Sequence, residues 1–153
     1  MAPSGPVTAD STLITADNTN ITVDKMASYK TTDYVINIVL LLLASISKPK
    51  YLNTSPANLG TNVKEYIVIN SLPINTGVMQ RCYVNVNYHV KDIEVGKPDI
   101  TKIEAGSVAV LDILEKVTAT TYLIDFESQE TIRESERGEH YSNLRFSFKY
   151  INN

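Results

Sequence analysis

Residues 79–90 read MQRCYVNVNYHV and alternate with period two. Cys82, Val84, Val86, Tyr88 and Val90 fall on one face, and Arg81, Tyr83, Asn85, Asn87 and His89 on the other. That pattern belongs to a strand whose sheet is covered on one side. The apolar set is expected in the core, and the polar set wet or at an interface.

The flanking segments decide which kind of sheet this is. KEYIVINS (64–71) reads as a neighbouring strand, joined through a turn at Leu72-Pro73-Ile74-Asn75-Thr76-Gly77. Downstream, Pro98-Asp99 opens a helix, and Thr101-Lys102-Ile103-Glu104 fits a capping box. Ile100, Ile103, Val110, Leu111, Leu114 and Val117 form its apolar stripe. TTYLIDFESQE (120–130) and YSNLRFSFKYIN (141–152) read as two more strands. Leu144, Phe146, Phe148 and Tyr150 make the apolar face of the last one. The charged stretch RESERGEH (133–140) lies between them, with Gly138 supplying turn freedom. The two strands are expected to form a hairpin whose tip exposes Arg133, Glu134, Glu136, Arg137 and Glu139.

Upstream, YVINIVLLLLASI (34–46) is too short to cross a bilayer, which takes roughly 20 apolar residues. It also lies too far from the N-terminus to read as a secretory signal. It reads as a helix starting near Thr32 or Asp33 and ending before Pro49. Apolar residues ring its whole circumference, so one side is expected to meet another copy. Val35, Val39, Leu41 and Leu42 are the candidate interface residues. The fold expected is α+β: a mostly antiparallel sheet of about four strands with two helices, in the order α-β-β-α-β-β.

Residues 1–30 differ from the domain expected over 31–153. They carry a seven-residue repeat, TADSTLI (8–14), TADNTNI (15–21) and TVDKMAS (22–28), with too few apolar positions for a coiled-coil seam. Two readings stand. One is a tail that cannot bury enough surface to fold alone. The other is an extended arm laid on a neighbouring subunit through Leu13, Ile14, Ile21 and Val23. Met26 offers a second start.

The net charge of −3 argues against a dedicated polyanion binder. A single cysteine, Cys82, excludes an internal disulfide and reads as a small buried hydrophobe. Of the two histidines, His89 sits on a polar strand face and His140 in the charged turn. Glu134, Glu136, Glu139 and His140 could hold a cation loosely, but a solvated turn is the simpler reading. No phosphate loop, nucleophile elbow or zinc-protease motif occurs. The expectation is a protein that is not an enzyme, with no catalytic residue, cofactor or metal.

The layout resembles the tail terminator, tail completion and neck ring proteins of tailed bacteriophages. The apolar helix leads through a Pro-containing loop to EYIVINS, similar to the family's "PYIVI". RCYVNVNYHV is similar to its "V.V.V" strand, and LRFSFKYI to its closing "F.F.V" strand. The resemblance spans roughly residues 29–152 and rests on the arrangement of elements. The Asn-, Ile-, Tyr- and Lys-rich composition suits a phage of an AT-rich host, such as a crAss-like phage.

The resemblance implies a structural virion protein, made in the host cytoplasm. Six or twelve copies would form a ring between capsid portal and tail. Its partners would be itself, neighbouring neck, portal or tail proteins, and genomic DNA passing non-specifically through the channel, with no membrane. The alternative is a small non-catalytic binding or adaptor module.

Overall fold

The computed structural model describes residues 30–75 and 79–151, together with two short strands near the N-terminus. Those two, β1 (Leu13–Ile14) and β2 (Asn20–Ile21), pair antiparallel. The rest of the expected arm lies outside the described residues. That includes the side chains of Leu13, Ile14, Ile21 and Val23 and the start at Met26.

Helix α1 (Thr32–Leu42) begins at Thr32, where the sequence predicts, with its cap one residue before the expected Thr32 or Asp33. Thr31 is its cap, and its hydroxyl accepts the amide of Tyr34 at 3.2 Å. The helix ends before Pro49, as expected. Its last turn tightens to a 3-10 turn at Leu43–Ser45, and Lys50 Nζ donates to the carbonyls of Ile46 and Lys48 just beyond.

Strand β3 (Lys50–Leu52) follows, running parallel to Ile67–Ile69 of β4 (Glu65–Ser71). β4 pairs antiparallel with β5 (Met79–Lys91), from Glu65 opposite Val90 to Ser71 opposite Val84. Helix α2 (Ile100–Leu114) comes next, capped by the Asp99 side chain, which accepts the Lys102 amide. Asp99 therefore does the capping that the sequence assigned to Thr101 and Glu104. β6 (Lys116–Thr118) precedes the hairpin of β7 (Tyr122–Glu134) and β8 (Glu139–Ile151).

One six-stranded sheet results, in the order β3-β4-β5-β8-β7-β6. The α+β class with two helices holds. The expectation of about four antiparallel strands needs two additions, both three-residue edge strands, and β3 makes the sheet mixed. Val117 belongs to β6 rather than to the second helix.

Both helices cover the same face. Val35, Ile36, Val39 and Leu43 of α1 and Ile103, Val110 and Leu114 of α2 share one core with Ile67, Ile69, Val84, Val86, Leu144, Phe146 and Phe148. Cys82 is buried among them. This corrects two interface assignments. Val35 and Val39, each 1% exposed, point into their own sheet, and Leu42 is half-buried against the same core.

The helix is apolar all round in sequence but not in structure. Its exposed stripe is Asp33, Asn37 and Leu41, four residues apart. Leu41, 62% exposed, is the apolar member of that stripe.

Candidate functional site

The opposite face of the sheet carries the polar side chains. Here the period-two pattern places Tyr66 (β4), His89 (β5) and Tyr141 (β8) at one register level, side by side across three strands. Their rings stack in a row. Tyr66 and His89 are 4.4 Å apart and 12° from parallel, and His89 and Tyr141 are 4.6 Å apart at 23°. Tyr51 of β3 closes the row, meeting Tyr66 edge-on at 5.8 Å.

One register step away lies Glu139, opposite Lys91 on β5 and Glu134 on β7. Its Oε1 accepts the Tyr66 hydroxyl at 2.5 Å and lies 3.1 Å from His89 Nδ1. Glu134 Oε2 reaches to 3.7 Å from the same nitrogen. The other oxygen of Glu134 lies 3.5 Å from Arg137 Nε. The Arg137 guanidinium also donates to the Pro56 carbonyl, tying the 53–63 loop to the hairpin turn.

Burial alone pushes the Glu139 carboxyl up. The hydrogen bonds from His89 and Tyr66, with the charges of His89 and Arg137, outweigh it and hold the group below the usual glutamate range. The Tyr66 hydroxyl moves the other way, raised first by burial and then by its bond to Glu139.

Above this cluster is a groove of about 380 Å³. His89, Glu134 and Tyr141 form one part of its lining, and Thr54, Ser55 and Asn87 another.

The second histidine makes a similar pair elsewhere. His140 Nδ1 lies 2.6 Å from Asp92 Oδ1, and Gly96 donates its amide to the other oxygen of Asp92. Neighbours on β8 project to opposite faces of the sheet, so His140 and Glu139 point apart.

The residues expected at an exposed hairpin tip divide. Arg133 and Glu136 are exposed, and Glu134 and Arg137 are half-buried. Glu139 is 2% exposed, which corrects its assignment to the tip. It opens β8, so strand alternation turns it onto the face where Tyr66 and His89 supply donors. His89, expected on a wet face, is buried with it.

Sequence reasoning missed the Tyr66, His89 and Tyr141 row. The signal for it was an aromatic or histidine at one polar-face position in each of three strands, which needs the strand register to be recognised.

A His with its Nδ1 held by a carboxylate is an oriented imidazole, able to move a proton or ligate a cation. Cys82 lies on the other face of β5, away from it. No protein-family model matches the chain, and a comparison with curated proteins finds no match.

Proposed function

We propose that this chain is a structural virion subunit whose copies close into a ring at the head-to-tail connector or tail end, around the DNA channel. It carries out no catalysis. Its contacts are with itself and with neighbouring neck, portal or tail proteins.

The observation that carries this reading is a pair of unlike, uncovered surfaces toward opposite edges of one sheet. Toward one edge α1 packs over β4 and β5 and leaves Leu41 in solvent. Toward the other edge β6 pairs with only Leu123–Asp125 of β7. Among the described residues no strand pairs with the outer edge of β7 from Glu127 to Glu134. Beside that edge, a shallow cavity of about 310 Å³ is lined by Ile100, Leu111, Gln129 and Thr131. Ile100 there is 68% exposed.

Two different surfaces that fit each other make a heterologous contact, and such contacts repeat head to tail, giving a ring when the rotation between copies closes. In this reading the Leu41 stripe of one copy seats against α2 and the β7 edge of the next. An open strand edge is also a natural place to add backbone pairing. The polar groove at His89 is what favours the other reading, a small monomeric adaptor.

Light scattering and negative-stain images of the purified chain test this. Rings of six or more copies are expected, with Leu41→Asp reducing them to folded monomers. Full-size rings from Leu41→Asp would overturn the assigned contact. A wild-type chain that stays monomeric and binds no portal or tail component would overturn the ring itself.

A further inference from the structure

Three ligand-type atoms from three strands converge beside the groove. His89 Nδ1 lies 3.1 Å from Glu139 Oε1 and 3.7 Å from Glu134 Oε2, and all three atoms fall within 4.8 Å of one another. Zinc bound to His nitrogen and carboxylate oxygen in a tetrahedron holds its ligand atoms roughly 3.3 to 3.5 Å apart. The two short spacings bracket that value. We propose that His89, Glu134 and Glu139 form a binding site for a divalent transition metal of the zinc class, with the fourth position open to the groove.

The surroundings hold each ligand in place. Stacking between Tyr66 and Tyr141 fixes the plane of the His89 ring. The Tyr66 hydroxyl anchors Glu139 at 2.5 Å. Arg137 engages one oxygen of Glu134 and leaves the other turned toward His89. Hydrogen bonds of this kind orient ligands and set their basicity. His89 and Glu139 have side chains only 4% and 3% exposed, so their atoms meet little competition from water.

The donor set also selects the metal. One imidazole nitrogen with two carboxylates suits zinc and its neighbours, whereas calcium and magnesium take all-oxygen shells. Three protein ligands leave one position of a tetrahedral zinc shell for water or another donor. The positive charge of Arg137 at Glu134 keeps affinity below that of thiolate sites.

The same atoms would also satisfy a protonated imidazole shared between two carboxylates, with no metal at all. The two arrangements differ in what they do with added metal. A metal on Nδ1 must displace any proton there, so the two arrangements exclude each other.

Cobalt(II) titration of the full chain tests the site, because tetrahedral cobalt absorbs visible light far more strongly than the hydrated ion. The expected result is absorption that saturates at one cobalt per chain. Zinc should displace the cobalt, and calcium or magnesium should not. Glu134→Gln, at a half-exposed position, should keep the melting curve of the parent and weaken zinc binding by roughly tenfold or more. His140→Gln, which removes the pairing with Asp92 on the other face of the sheet, should leave zinc binding unchanged.

A titration without visible absorption would overturn the proposal. So would zinc affinity that Glu134→Gln leaves intact. The result does not depend on whether the copies assemble.

Discussion

Gly106 of α2 lies flat against the ring of Tyr88 on β5. A Cβ placed on Gly106 would sit 2.1 Å from Tyr88 Cε1, well inside contact distance. The glycine therefore sets how closely α2 approaches the sheet. Glycine costs a helix interior about 1 kcal/mol relative to alanine, so Gly106→Ala would stabilise an isolated helix. Here the clash should dominate, with a net loss of about 1–3 kcal/mol typical of overpacking. Urea denaturation measures it. An unchanged or higher midpoint would mean that Tyr88 has room to swing aside.

The same Tyr88 reaches Glu65 with its hydroxyl, at 2.7 Å, and Lys48 Nζ meets the other oxygen of that carboxylate at 2.9 Å. Burial raises the Glu65 carboxyl, but these two hydrogen bonds and the charges of Lys48 and Lys102 bring it below the usual glutamate range. A carboxyl depressed in the folded state adds stability that is complete above its unfolded value. That contribution fades as pH falls through the lower, folded value. Glu65→Gln should therefore cost stability at neutral pH and show a flatter decline in acid. Urea midpoints between neutral pH and strong acid check this, and parallel curves for the two proteins would refute it.

Much of the sheet was legible because long strands repeat their pattern. β5 alternates over 13 residues, and its core face was read residue by residue. β3 and β6 have three residues each, too few for a period to register, and β6 continues straight from the end of α2. The α1 stripe was hidden because leucines fill positions that only the sheet distinguishes. The His89 cluster was hidden for a different reason. Its members lie at residues 66, 89, 134, 139 and 141, and only the pairing of four strands brings them together.

Leu41 and Leu43 stand two residues apart and should behave as opposites. Leu43 is fully buried in the core at the end of α1, while Leu41 lies mostly in solvent. Leu43→Ala should cost about 2–5 kcal/mol, the range for deleting a buried leucine. Leu41→Ala should change the stability of the monomer by less than about 0.5 kcal/mol, as surface substitutions do. The comparison belongs at low protein concentration, where assembly does not add to apparent stability. A large loss at Leu41 in dilute protein would mean that its own fold covers it.

The boundary of the folded unit should fall between Tyr29 and Lys30. Residues 30–152 form a compact unit by their own contacts. Lys30 is stitched to it: its amide donates to Gln80 Oε1 at 2.8 Å, and its carbonyl accepts Gln80 Nε2 at 3.3 Å. Its ammonium also lies about 5 Å from the rings of Tyr34 and Tyr150. Removing residues 1–29 should leave the melting temperature nearly unchanged, because the hydrophobic core lies within residues 30–152. Extending the cut through Thr31 should lower it, since the buried Gln80 amide loses its partners and α1 loses its cap, each worth about 1 kcal/mol. Thermal melts of the two truncations by circular dichroism decide the matter. An unfolded product from the shorter cut would place the N-terminal segment inside the fold.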